Sequence, residues 1–131
     1  MLDVDVITAV RASGLPPEEE IRRLLELAIG SAGIADGHVA VEFVGAERIA
    51  DLNARHRGRA GPTDVLSFPV DGAGDERAPG PPRELGDIVI CPDHTADLRE
   101  AIVHGALHLT GMDHEADDGE MLALQAKLMS R

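Results

Sequence analysis

The sequence predicts an α+β domain whose four-stranded, mostly mixed sheet is packed with helices in the order βαβαββαα. Two observations lead to this prediction. Some segments alternate apolar and polar residues, as half-buried strands do, and between them lie segments with helical periodicity. The 131 residues, 44 % of them hydrophobic, suffice for one packed core, and we find no internal repeat. We therefore expect a single domain over 1–131.

The first half of the chain predicts two successive strand and helix pairs. VDVIT alternates as a strand does, and GLPPEEEIRRLLELAIGSAG then has prolines at its entry, glutamates in its first turn and glycines at its exit, which are helix signals. The apolar residues of this helix form one stripe: Ile21, Leu24, Leu25, Ala28 and Ile29. HVAVEFVG predicts the second strand, and a short helix is expected from Glu47 to Arg55.

The second half predicts two strands and then two helices. GPTDVLSFPV suits a third strand, DGAGDERAPGPPR a long loop, and ELGDIVICP a fourth strand stopped by Pro92. A helix is expected from about Thr95 to Thr110, with Gly111 ending it. Asp117 or Asp118 is expected to cap the last helix.

The charge of the chain limits its partners. A formal net charge of -12 argues against broad attraction to RNA, DNA or an anionic membrane, so any polyanion must be gripped locally. ARHRGR is the segment suited to this, with Arg55, Arg57 and Arg59 around His56. Surfaces on which nucleic-acid bases stack are nearly absent, since the chain has two Phe and neither Trp nor Tyr.

The single cysteine and the first residues bear on the compartment. Cys91 permits no internal disulfide and is expected to be a buried residue at a strand end. Asp3 and Asp5 interrupt the apolar start, and no apolar run is long enough to span a membrane. We therefore expect a cytoplasmic protein.

HGALHLTGMDH, residues 104–114, holds three of the six histidines. His104 and His108 are four residues apart, so on a helix both imidazoles project from one face. Gly111 allows the chain to leave the helix and bring His114 back towards them. Three neutral imidazoles suit one metal ion with a position open to water, and zinc is the expected ion, although nickel or another divalent transition metal is possible.

The spacing of these histidines matches that of the metzincin peptidases, which carry a glutamate after the first histidine as general base. Here that position is Gly105, which has no side chain to accept a proton. A metallopeptidase is therefore disfavoured while the metal site is retained.

HGALHLTGMDH resembles the H-G-x-L-H-L-x-G-x-D-H signature of the YbeY family of bacterial endoribonucleases and ribosomal RNA maturation factors. Three other segments resemble family motifs: LNARHRGRAGPTDVLSFP, LGDIVIC and EMLALQAKLM. The resemblance implies that His104, His108 and His114 bind zinc and that Arg57 is the functional arginine. It also implies a single-strand-specific endoribonuclease that processes ribosomal RNA, notably the 3′ end of the small-subunit RNA, and acts in ribosome quality control.

The implied partners are ribosomal RNA, the small ribosomal subunit and ribosomal proteins, with neither DNA nor membrane. Arg57 is expected to hold a non-bridging phosphate oxygen through paired N–H donors, while Arg55 and Arg59 are expected to be solvated. The alternative is a ribosome assembly factor that is stabilised by metal and does not cut RNA.

Several roles remain open at the level of sequence. The nucleophile is either a water on the metal or the 2′-OH of the substrate, and no general base is assigned. Asp113 either accepts an imidazole N–H or caps the turn, and Asp64 and Asp87 are either near the site or bonded to backbone N–H groups. His38, His56 and His94 are expected to be structural, with His56 the least certain because of its arginine neighbours.

Overall fold

The structure is a computed structural model that describes residues 2–70 and 83–130. Its elements follow the predicted order, with one short 3₁₀ helix added: β1 Leu2–Thr8, α1 Glu18–Gly30, β2 Gly37–Phe43, α2 Ala46–Arg57, β3 Val65–Pro69, β4 Glu84–Ile90, the 3₁₀ helix Pro92–His94, α3 Leu98–Leu109 and α4 Glu120–Met129. The α+β prediction is thus confirmed. The loop predicted from DGAGDERAPGPPR lies, apart from its last residue, outside the described residues.

The four strands form one mixed sheet in the order β1-β2-β4-β3. β1 pairs with β2 and β2 with β4 in parallel, whereas β3 pairs with β4 antiparallel. The crossover through α1 allows β1 and β2 to be parallel, and β4 returns parallel to β2 because the chain between them passes through α2 and then through the antiparallel strand β3. As a result, β3 lies at one edge of the described sheet.

The larger core lies between the sheet and the helices α1 and α3. All five residues of the stripe predicted for α1 are at most 4 % exposed, and each of its leucine and isoleucine side chains contributes roughly 1.5–3 kcal/mol on burial. The opposite face of the sheet carries a smaller cluster beneath α2, formed by Val44, Ile49, Leu66, Val89 and Cys91. Cys91 is fully buried at the end of β4, as predicted.

Helix α3 begins at Leu98, three residues later than the sequence predicts. Thr95 instead ends the 3₁₀ helix, with an extended backbone, and its hydroxyl donates to the Cys91 carbonyl over 2.6 Å. Asp97 is the N-cap, and its carboxylate accepts from the backbone N–H groups of Arg99 and Glu100 at 3.0 and 3.1 Å. A capping carboxylate of this kind stabilises a helix by about 1 kcal/mol.

A glycine sets the approach of α3 to the sheet. A Cβ at Gly105 would lie 2.6 Å from Cγ2 of Ile88 in β4, closer than packed atoms come. The carbonyl of Gly105 also accepts a hydrogen bond from the Ser67 hydroxyl of β3 over 3.0 Å. These contacts fix the rotation of α3 about its axis, and with it the direction of His104 and His108.

The start of α4 is held by Asp117, one of the two capping candidates. Its carboxylate accepts from the N–H groups of Gly119 and Met121 at 2.8 and 3.0 Å, although the residue directly before the helix is Gly119. Met121 and Leu128 attach this helix to the main core. None of the helices in the described ranges has the length and apolar character needed to cross a membrane.

Candidate metal centre

The structure brings His104, His108 and His114 together. Their ring centroids are 4.8, 5.0 and 5.2 Å apart, and their candidate ligand atoms all lie within 4.8 Å of one another. His104 and His108 project from α3, and Gly111, at φ 101°, turns the chain so that His114 returns to them. Only glycine adopts this conformation without strain. The helix and the turn after it therefore build one cluster from a local segment.

Two of the rings are oriented by oxygen atoms behind them. Nδ1 of His108 donates to the Met112 carbonyl over 2.9 Å, and Nδ1 of His104 donates to Oε1 of Gln125 over 2.8 Å. A proton on Nδ1 leaves the lone pair on Nε2, the tautomer that a metal ligand on that atom requires. Gln125 comes from α4, so the last helix orients a ring that α3 supplies.

The donor set fits a transition-metal ion. Burial lowers the pKa of His108, and the neighbouring His104 and His114 lower it further, so this ring is held neutral as a ligand must be. Nδ1 of His114 is buried and has no hydrogen-bond partner among residues 2–70 and 83–130. Burial of a ring nitrogen without a hydrogen-bond partner lowers the stability of an ordinary protein core. Three imidazoles that converge on one point are, in contrast, the donor set of a zinc site with one open position.

The cluster opens into a cavity of about 1010 Å³. The cavity follows the edge strand β3, with the three histidines from the α3 side and the end of α2 on the other. Arg57 and Arg59 also line it. The residues that the sequence picked out for metal and for phosphate therefore share one open space.

Arg57 is the last residue of α2, and Gly58 ends the helix at φ 65°. Its Nη2 donates to Oε1 of Glu115 over 3.1 Å, and Nη2 of Arg59 lies 3.9 Å from the other oxygen of this carboxylate. Glu115 directly follows His114, so it links the arginine segment to the histidine turn. The sequence did not single out Glu115, because nothing local indicates a contact with a residue 58 positions away.

The two neighbouring arginines behave differently. Arg55 pairs with Asp51 on its own helix and is 71 % exposed, as expected for a solvated side chain. Arg59 was also expected to be solvated, and it is 61 % exposed, yet it lines the cavity. Its place beyond the helix end, after Gly58, directs it to the same space as Arg57.

Two of the three aspartates whose roles the sequence left open accept hydrogen bonds from backbone N–H groups. Asp113 accepts from the Glu115 N–H over 3.0 Å and thus caps the turn, the second of its two options. Asp64 accepts from the Val65 N–H over 2.8 Å but also lines the cavity. Asp87 is exposed in β4 and is not among the residues that line the cavity.

The other histidines divide as well. His38 has the expected structural role, since its two ring nitrogens contact Asp5 and Glu84 at 2.8 and 2.7 Å. His94 is exposed at the end of the 3₁₀ helix. His56, the least certain of the three, lines the cavity and packs its ring against Phe68 with the centroids 4.5 Å apart.

Comparison with known proteins identifies one family to which the chain is similar. A family model described as Endoribonuclease YbeY matches residues 15–131. The Endoribonuclease YbeY of Nocardia farcinica is 40 % identical, with 86 % of this chain and 72 % of the relative covered. That of Salinispora tropica is 38 % identical, with 98 % and 87 % covered. The solution structure of the Thermotoga maritima protein TM1509 matches with a TM-score of 0.56 and 28 % identity over 99 % of this chain and 87 % of that one.

Proposed function

The chain belongs to the YbeY family of endoribonucleases, and we propose that it is a single-strand-specific, zinc-dependent endoribonuclease that processes ribosomal RNA. The observation that carries the proposal is the shared cavity: three convergent histidines and Arg57 line the same space. A metal site alone fits many proteins, and an arginine alone fits any anion. Together they fit a phosphodiester, which needs both charge neutralisation and activation of a nucleophile.

The histidines have the role of holding the ion. A zinc ion bound there would supply positive charge to polarise a phosphoryl oxygen and would lower the pKa of a bound water to about 7. Gln125 and the Met112 carbonyl keep the rings of His104 and His108 in position. Nickel or another divalent transition metal suits the same imidazoles.

Arg57 has the role of binding a non-bridging oxygen of the scissile phosphate. Its side chain is 38 % exposed and is paired with Glu115, so the phosphate takes the place of a carboxylate that already fits the guanidinium. Both anions accept paired N–H donors, which lysine does not offer in the same geometry. Gly105 cannot serve as general base, and its packing against Ile88 and Ser67 leaves no room for a side chain there. The site therefore differs from that of a metallopeptidase.

The partners proposed are ribosomal RNA, the small ribosomal subunit and ribosomal proteins in the cytoplasm, with action at the 3′ end of the small-subunit RNA and in ribosome quality control. The net charge of -12 supports recognition within a particle, because free RNA is repelled by most of the surface while basic ribosomal proteins are attracted. We expect weak cleavage of arbitrary short RNA and stronger cleavage of precursor RNA in ribosomal particles. Equal, efficient cleavage of unrelated single strands would contradict this specificity.

His114→Ala separates the enzyme from an assembly factor that binds metal without cutting. We expect the variant to fold and to bind particles while its cleavage, followed by gel analysis of the RNA, is lost. His94→Ala is the matched control, because His94 is exposed and does not line the cavity. If the parent does not cut RNA and His114→Ala merely fails to fold, the result would favour the assembly factor.

A further inference from the structure

His56 and Phe68 form an aromatic corner within the cavity. His56 lies in the last turn of α2, and Phe68 lies in the edge strand β3. Their ring centroids are 4.5 Å apart and their planes meet at 69°. A flat ligand that stacks on one ring therefore meets the other ring at a steep angle. Neither ring belongs to the histidine cluster that could hold a metal ion.

The composition makes this corner unusual for the chain. There are two phenylalanines and neither tryptophan nor tyrosine. Phe43 is 1 % exposed and belongs to the main core. Phe68 is half-buried, resting against the small cluster beneath α2 with the rest of its ring in the cavity wall. The single phenylalanine outside the core thus lies in the cavity that holds the histidine cluster.

Basic side chains that suit the backbone of one nucleic-acid strand line the same cavity, beside the acidic Asp64, Asp113 and Glu115. His56 directly precedes Arg57, and Arg59 lines the same cavity. Proteins that bind single strands combine basic groups for the backbone with rings on which unpaired bases stack. The sequence made such surfaces seem nearly absent, but the fold places an exposed histidine ring against the half-buried phenylalanine.

We propose that His56 and Phe68 form a stacking subsite for one unpaired nucleobase of the RNA strand whose phosphate Arg57 binds. The inference rests on the proposed function, because it takes RNA as the occupant of the cavity. Such a subsite explains why the site would prefer single strands, because a base paired in a duplex is not free to stack against His56 and Phe68. Every base can stack on an aromatic ring, so the subsite discriminates single-stranded from double-stranded RNA more than it discriminates between sequences.

The test uses short single-stranded RNAs that carry 2-aminopurine, or an abasic unit, at each position in turn. For the unmodified chain we expect fluorescence quenching at one position on mixing, and about tenfold weaker binding when that position is abasic. Phe68→Leu and His56→Ala are each expected to abolish the quenching and to weaken binding of the intact strand about tenfold. Neither should weaken binding of the abasic strand further, because the base is already missing.

His94→Ala is the control and should bind like the parent, since this histidine lies outside the cavity lining. If Phe68→Leu unfolds, His56→Ala carries the test alone, because His56 is exposed. Equal affinity of the parent for intact and abasic strands would overturn the subsite, as would variants that lose affinity equally for both. A parent that quenches at one position but never cuts RNA would support the subsite and contradict the proposed function instead.

Discussion

At the scale of single residues, the role that we propose for Arg57 requires the shape of its side chain as well as its charge. It contacts Glu115 over 3.1 Å from the end of α2 and lines the cavity that contains the histidines. Its guanidinium presents several N–H donors in a fixed plane, and a phosphate accepts two of them at once. A lysine would keep the charge and lose the paired donors.

Arg57→Lys is expected to reduce cleavage of particle-bound RNA about 10- to 100-fold, the effect of losing one hydrogen bond to a charged group. The metal content should be unchanged, because Arg57 is not among the groups that could hold the ion. Arg55→Lys is the matched control, since Arg55 pairs with Asp51 and is mostly exposed. Single-turnover cleavage rates decide the matter, and a rate for Arg57→Lys equal to that of the parent would remove Arg57 from the reaction.

At the scale of secondary-structure elements, His38 joins three strands. It lies in β2, and its ring contacts Asp5 of β1 and Glu84 of β4. The hydrogen bond to Asp5, and next that to Glu84, raise the pKa of His38 above its ordinary value of 6.5. Because the folded chain holds this proton more tightly than the unfolded chain, protonation of His38 stabilises the fold.

This contribution to stability is fully present below the ordinary imidazole pKa and is lost as the pH rises through the raised value. His38→Gln should therefore lower the free energy of unfolding more at about pH 6 than at about pH 9. At about pH 9 the parent and the variant both carry a neutral side chain at position 38. Urea denaturation across this range measures the difference, with His94→Gln as the exposed control. A destabilisation that is independent of pH would show that the proton does not matter.

Local patterns predicted the elements well and their contacts less well. Periodicity was sufficient for the strands, for the buried stripe of α1 and for the histidine turn, since all three depend on near neighbours. The predicted start of α3 was wrong because Thr95 has an extended backbone after the 3₁₀ helix and its hydroxyl bonds to the Cys91 carbonyl. Gln125 and Glu115 were missed as parts of the site because their partners come from distant segments.

The site residues show the same division. His104, His108 and His114 lie within eleven residues, so their convergence follows from one helix and one glycine. The edge-to-face contact of His56 with Phe68 depends on how α2 lies relative to β3, which no local pattern contains. The sequence predicted only part of the role of Gly105. It shows that the general base of the peptidases is missing, and the fold shows that a side chain at this position would clash with Ile88.

At the scale of the whole molecule, the candidate site lies at one edge of the sheet. The chain is strongly acidic, with a net charge of -12, yet two arginines and four histidines line the cavity along β3, beside three acidic residues. An acidic body with few phosphate contacts should bind free RNA weakly and with a shallow dependence on salt. The central claim is that the three histidines hold one divalent ion in this cavity.

Elemental analysis of the purified protein, beside His104→Ala, His108→Ala, His114→Ala and the control His94→Ala, tests this claim most directly. We expect about one transition-metal ion per chain in the parent and in the control, with loss of the ion in each of the other three, because each removes one of three ligands. Retention of the ion by all three variants, or RNA cleavage by a parent that stays free of metal after chelation, would contradict it.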